Sequence, residues 1–409
     1  MIRTTCFIAL FALVTAASLS YENEWESFKA KYNKVYADER EEAWRKTIFL
    51  YNLKKIQAHN ERAENGELTY RLEVNKFSDL TDEEFKAAHL GFKKSDQSEA
   101  SLSNENEWES FKAKHNKVYA DEREEAWRKT VFLYNLKKIQ AHNERADNGE
   151  HTYRLGVNKF ADLTYEEFKA AYLGFKKSQH SAPLVHNVNK TFQLPASIDW
   201  RTKGIVTEVK DQAFCESCWA FSAIASIESA NAQKTGKLVE LSEENLIECS
   251  WGYHNKGCSG GLMDSAFQYV IDNKGVATES SYPYTSAAGD SGKCKYSASK
   301  RGASISSYVD IPQGNENALL QAVAQRVVSV AVDASELQHY DSGILKSTKC
   351  SPQGIDHGVT IVGYGVDNGT PYWLIKNSWG ADFGENGYFR LYRGSNMCGV
   401  AEAASYPVV

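Results

Sequence analysis

The chain has 409 residues, too many for one ordinary domain and enough to bury at least one large core. Its 42% apolar share is that of globular protein and excludes a disordered chain. Of its 47 basic and 53 acidic residues, 30 of each lie before residue 194, so the second half carries the whole net charge of −6 and no basic face marks a nucleic-acid partner.

Residues 1–20, "MIRTTCFIALFALVTAASLS", join one arginine to a short apolar run and then small residues, the pattern of a secretory signal peptide. That run is too short to span a bilayer, and no later segment reaches about 18 apolar residues. A mature protein with no membrane partner, made in an oxidising compartment of the secretory pathway, is expected.

Residues 21–95 recur at 104–178 with nine substitutions, a tandem duplication rather than a solenoid, which needs more and shorter repeats. In each copy the segment "EEAWRKTIFLYNLKKIQAHN" (41–60) spaces Trp44, Ile48, Leu53 and Ile56 as an amphipathic helix does. A shorter helical pattern follows at "LTDEEFKAAHLGF", with Thr81 able to cap it and Gly91 to end it. Each copy reads as a small helical unit, marginal alone and helped by a partner surface.

Polar residues 179–193 read as a linker and hold the sequon at Asn189. From Leu194 the texture turns Gly-, Tyr- and Cys-rich. Helical patterns at 218–235, 242–249 and 262–273 precede strand-like runs such as "RVVSVAVDA", "GVTIVGYG", "YWLIKNSWG" and "GYFRLYRG". Helices first and strands second predict an α+β domain with a cleft between the halves.

Of the eight cysteines, Cys6 lies in the leader and seven lie beyond residue 214, so three disulfides would leave one thiol. Zinc on Cys215 and Cys218 lacks a second ligand pair at the right spacing, and neither metal nor cofactor is expected. A reactive thiol needs a site that favours thiolate, a histidine beside it and a group on the histidine's other nitrogen. Cys218 follows Ser217 where a helix would begin, within reach of its N-terminal N–H groups and dipole. His357 lies 139 residues on, at the head of an apolar run, and Asn377 a further 20, beside Trp379.

With those residues in place, the blocks "LPASIDWRTKG", "CWAFSAIASIE", "LSEENLIECS", "GCSGGLMDSAFQYV", "DHGVTIVGYG", "KNSWG" and "CGVAEAASYP" resemble the papain-like cysteine peptidases, the cathepsin L group in particular, in content and order. The duplicated unit resembles that family's inhibitory prodomain. Its helix signature stands at Glu41, Arg45, Phe49, Asn52, Ile56 and Asn60, and again at Glu124, Arg128, Phe132, Asn135, Ile139 and Asn143. A second signature is Gly156, Asn158, Phe160 and Asp162 in copy two, whereas copy one has Glu73 for the glycine, a fault there if the position needs a glycine conformation.

The resemblance implies a two-lobed peptidase, helical lobe plus β-barrel lobe, over 194–409. Before it would come a signal peptide (1–20), prodomain repeat 1 (21–103) and prodomain repeat 2 with its linker (104–193). It implies Cys218 as nucleophile, His357 as its imidazolium partner, Asn377 and Trp379 orienting and shielding His357, and Gln212 with the Cys218 N–H as oxyanion donors. Implied disulfides are Cys215–Cys258, Cys249–Cys294 and Cys350–Cys398. Gly260 and Gly261 would admit a peptide backbone, and Leu262, Met263, Ala331, Ile355, Gly358 and Ala403 would line an apolar S2 pocket. Expected partners are protein or peptide substrates, the chain's own prodomain in the cleft and cystatin-like inhibitors. A monomer in a lysosomal or extracellular digestive lumen, glycosylated at Asn189 and Asn368, completes the expectation.

The chain departs from the family pattern at Ala213 and Glu216, both usually glycine, at Phe383, usually tryptophan, and at Arg326-Val327, usually Gly-Pro. These departures raise a second reading, a catalytically impaired homologue that binds or regulates. A carboxylate ~7 Å from the thiolate at an effective dielectric of ~40 costs about 1 kcal/mol, too little to abolish activity. Glu216 beside the expected S1 wall further predicts a preference for basic P1 residues.

Overall fold

The computed structural model describes residues 22–64, 70–80, 85, 97–176, 184–189 and 191–409, so the signal-peptide segment lies outside the described residues. The chain divides into two compact units, Met1–Ser101 and Leu102–Val409.

In the first unit, residues 22–32 are helical and α1 spans Glu39–Glu64. Trp25, Phe28, Phe49 and Leu53 form the core. The helix signature serves to tie down the loop that follows it. Asn52 Nδ2 donates to the carbonyls of Ser78 and Leu80 (both 3.0 Å), and the buried Asp79 carboxylate accepts from Lys34 and Tyr36.

Copy two repeats this design with α2 (Gln97–Lys114), which carries Trp108 and Phe111, and α3 (Glu122–Asp147), which carries Phe132, Leu136 and Ile139. Asp121 caps α3 by accepting from Arg123 and Glu124 N–H. Strand β1 (Tyr153–Leu155) follows, then α4 (Tyr165–Tyr172), where Thr164 caps as its counterpart Thr81 was expected to, in a reciprocal box with Glu167. The helix expected at 81–91 of copy one lies almost wholly outside the described residues.

The remainder has the two expected halves. Helix α5 (Cys218–Thr235) is apolar on nearly every face and buried accordingly, with α6 (Glu243–Cys249) and α7 (Met263–Asp272) beside it. The strands are β2 (Leu184–Val185), β3 (Ile198–Asp199), β4 (Val276–Ala277), β5 (Arg301–Ala303), β6 (Ser307–Asp310), β7 (Val328–Val332), β8 (Tyr340–Leu345), β9 (His357–Asp367), β10 (Thr370–Lys376), β11 (Tyr388–Tyr392) and β12 (Ala404–Val408). Ten belong to one sheet, ordered β1-β8-β11-β10-β9-β7-β12-β6-β2, with β3 on β9. Both end strands of that order precede residue 194. Residues read as a featureless linker therefore supply β2, parallel to β6. Sequence reading also missed α8 (Glu316–Val323), an apolar-patterned helix among strands.

The three disulfides are those the resemblance implied, and Cys218 is the free cysteine among the described residues. Asn189 and Asn368 are exposed, the latter with φ 47° in the Asn-Gly turn joining β9 to β10. Among the described residues no helix is long and apolar enough to cross a membrane, and no cluster of His, Cys, Asp or Glu could hold a metal.

Candidate active site

Cys218 opens α5, with its sulfur fully buried where the helix presents free N–H groups; the Ser217 side chain makes no capping bond. His357 is the first residue of β9, the strand that packs along α5. Asn377 follows the last residue of β10, the neighbouring strand, so sheet pairing sets the two side chains together: His357 Nε2 lies 2.8 Å from Asn377 Oδ1. That oxygen also accepts the Ser378 N–H (2.9 Å), which fixes the amide's orientation and makes His357 Nε2 the donor. The neutral ring then has Nδ1 as its basic nitrogen, and Nδ1 has no hydrogen-bond partner among the described residues. The Trp379 ring stacks on His357 at 4.5 Å, and Phe383 meets Trp379 edge-on at 4.9 Å, so phenylalanine preserves the packing expected of tryptophan.

Gln212 is fully buried, with its oxygen accepting from Ser378 Oγ (2.7 Å) and its Nε2 donating to the carbonyls of Cys215 (2.7 Å) and Tyr172 (3.1 Å). Ser378 thus orients both Asn377 and Gln212. Sequence reading did not single it out, although it sits inside the "KNSWG" block.

Residues 172–176 of the second repeat run through this arrangement. The N–H groups of Gly174 and Gly358 each point at Cys218 Sγ from 3.3 Å. Phe175 N–H donates to the Asp356 carbonyl, while Gly261 donates to the Gly174 carbonyl (2.9 Å) and accepts from Lys176 N–H (3.2 Å). The Phe175 ring is buried in one cluster with Leu262, Met263, Ala331 and Ile355, and Ala403 packs against that cluster. Gly358 stands instead between β9 and α5, where a Cβ would meet the Cys218 carbonyl at 3.2 Å.

The two expected glycines differ in what they provide. Gly260, with φ +94°, lets the Gly174 carbonyl approach, since a Cβ would stand 2.6 Å from it; at Gly261 a Cβ would strike Trp219 and Asn255, so core packing sets that glycine.

Burial governs the electrostatics. It pushes the Cys218 thiol up to about 11, against the pull of the Gly358 and Gly174 N–H groups, and pushes His357 down to about 4, against its bond to Asn377. Both shifts favour the neutral form of the group concerned.

The departures find physical accommodation. Ala213 is held at φ 47°, a strained conformation for a residue with a Cβ, at a cost of about 1–2 kcal/mol. Glu216 does not share that strain and pairs with Lys176 of the second repeat at 3.3 Å. Arg326 stacks over the Tyr406 ring, and Val327 is buried beside Val362 and Leu374. Gly156 is not among the positive-φ glycines, so the expected conformational fault of Glu73 does not apply to that position; a Cβ there would instead meet Asp341.

Comparison with known proteins agrees with this geometry. The family described as papain family cysteine protease matches residues 194–408, and the cathepsin propeptide inhibitor domain matches 25–85 and again 108–168. A cathepsin L-like peptidase of Aedes aegypti is 46% identical over 317 residues, which cover 74% of this chain and 93% of the relative. Procathepsin L of Mus musculus is 45% identical over 311 residues, 74% of this chain and 92% of the relative. Among solved structures, digestive procathepsin L 3 from the Tenebrio molitor larval midgut superposes with a TM-score of 0.69 at 43% identity, over 75% of this chain and 99% of that one. The chain belongs to the papain family of cysteine proteases and carries the family's inhibitor domain twice, the organisation of a zymogen. The impaired-homologue reading is not favoured.

Proposed function

We propose that the chain is the zymogen of an endopeptidase whose nucleophile is Cys218, with the boundaries given above for leader, two prodomain repeats and peptidase. The course of residues 172–176 carries this reading. Each of their contacts takes up a group that a peptide substrate would use: the Tyr172 carbonyl oxygen stands in for a substrate carbonyl oxygen on Gln212, Gly174 N–H occupies the sulfur, and Phe175 fills the apolar pocket.

Once those residues leave, Cys218 Sγ loses the Gly174 N–H that points at it, and the thiol proton can pass to His357 Nδ1. The thiolate attacks the scissile carbonyl carbon, while Gln212 Nε2 and the Cys218 N–H stabilise the oxyanion. His357 returns its proton to the leaving amine as the C–N bond breaks, which leaves a thioester on Cys218. Water, activated by His357, hydrolyses the thioester. Asn377 and Trp379 keep the imidazole in place throughout.

Leu262, Met263, Ala331, Ile355 and Ala403 suit a bulky apolar P2 side chain, as Phe175 illustrates. Glu216 suits a basic P1 residue, and its pairing with Lys176 supports this. An exposed ion pair is worth under about 1 kcal/mol, so P1 lysine or arginine should gain roughly two- to fivefold over neutral residues, less at high salt. Equal rates for P1 Lys and P1 Glu peptides, or a preference unchanged in Glu216→Gly, would remove that assignment.

Relatives named digestive cysteine proteinases of Homarus americanus accord with an enzyme that enters the secretory pathway and works in a lysosomal or digestive lumen. Cystatin-like inhibitors are fitting partners for the same cleft. The test is acidification of the full chain with hydrolysis of a Phe-P2 peptide followed beside mass-spectrometric alkylation of Cys218. Turnover should appear with prodomain cleavage and vanish when this one thiol is labelled; complete processing without turnover would restore the impaired-homologue reading.

A further inference from the structure

Three of the nine positions at which the repeats differ stand, in copy two, against peptidase residues. Gly156 follows β1, its N–H bonded to the His339 carbonyl, and a Cβ there would lie 2.9 Å from Asp341 Oδ1 and 3.1 Å from Asp341 Cβ. Copy one has Glu73 at this position, which would bring further atoms and a second carboxylate beside Asp341. Tyr165 opens α4 and packs on the β-lobe core, with Asp356, Asp333 and Glu336 among its acidic neighbours. Copy one has Asp82 there. Lys169 pairs with Asp356 at 3.3 Å, and copy one matches that cation as Lys86 without adding another.

Tyr172 ends α4, with its ring buried 4.7 Å from Phe160, 5.8 Å from Phe214 and 6.3 Å from Trp379. Copy one substitutes His89, a smaller polar ring for an aromatic niche. By contrast, the core of each copy is preserved: Trp25, Phe28, Phe49 and Leu53 in one, Trp108, Phe111, Phe132 and Leu136 in the other.

We propose that the cleft accepts copy two and rejects copy one, so that two repeats of one fold are distinguished chiefly by Glu73, Asp82 and His89. Like charge opposes docking at two points and lost aromatic packing at a third. The inference rests on the reading of Cys218 as the thiol that copy two covers.

The test places copy one's residues into copy two of the full chain: Gly156→Glu, Tyr165→Asp and Tyr172→His together. The rate at which iodoacetamide labels Cys218 in intact chain at neutral pH should rise at least roughly tenfold; an unchanged rate would mean that copy one takes the place equally well. A deletion pair guards against a folding defect. Removing residues 21–103 should leave Cys218 protected, removing residues 96–178 should expose it, and adding Glu73→Gly, Asp82→Tyr and His89→Tyr to the second deletion should restore protection. Equal protection in both deletions overturns the discrimination. If Cys218 of the unaltered chain labels as fast as in processed enzyme, the covering itself fails, a separate result.

Discussion

On the β side of the cleft, His357, Asn377 and Trp379 stand at or beside the ends of paired strands, and each is fixed by a neighbour: Ser378 on the amide, Trp379 on the ring, Phe383 on Trp379. On the helical side, residues 212–217 form a loop, and two of the four departures from the family pattern fall there, Ala213 and Glu216. The contrast separates two demands. The β wall must hold side chains in one orientation, which tolerates only exchanges that keep packing, such as phenylalanine for tryptophan. The loop presents chiefly backbone and one buried amide, so it can carry altered side chains provided that the backbone keeps its course, even at the expense of strain at Ala213.

Five measurements test this contrast. His357→Ala removes the proposed base and should lower kcat/KM by about 10³-fold or more, with KM little changed. Gln212→Ala should cost about 10²-fold in kcat; no loss would mean that the helical wall contributes the nucleophile and nothing else. Asn377→Ala deletes the buried hydrogen bonds from His357 Nε2 and Ser378 N–H and should cost about 10–100-fold, with a shifted pH profile because the ring is no longer held.

The fourth measurement in size concerns pH. A thiol raised to about 11 favours the covered state below its ordinary value, a benefit lost as pH climbs through about 11; an imidazole lowered to about 4 favours it above the ordinary value, a benefit lost as pH falls through about 4. Between those limits both shifts favour a neutral pair in the intact chain. Labelling of Cys218 should therefore rise about tenfold per unit from pH 7 to 10 in intact chain and stay level in processed enzyme. A level profile in both would show that burial does not suppress the ion pair. Smallest of all, Ala213→Gly should relieve the positive-φ strain and add about 1 kcal/mol, or about 2–4 °C in Tm, with activity retained.

Much of this was legible in the sequence because it is local. The apolar run of α5, the strand patterns around His357 and Asn377, and the Thr-x-x-Glu box at Thr164 each carry their signal within a few residues. The odd thiol followed from counting. What stayed hidden depends on partners far along the chain. Leu184–Val185 becomes a strand only because β6 offers it backbone groups, and Glu216 acquires a cation only because Lys176 passes by. Lys210, an ordinary lysine in sequence, is held between the buried Glu228 and Glu243 beneath the site, a juxtaposition that only the folded loop creates. The error over Glu73 was of the same kind: glycine at 156 answers to Asp341, 185 residues away, rather than to its own dihedral angles.

The sheet runs β1-β8-β11-β10-β9-β7-β12-β6-β2. Both of its margins are closed by segments that maturation would discard, β1 on β8 and β2 on β6. On the proposed boundaries, activation would also uncover the N–H and C=O groups of β8 that pair with β1 and those of β6 that pair with β2. The mature enzyme would then be more prone than its precursor to self-association through these edges, until the discarded strands or solvent occupy them.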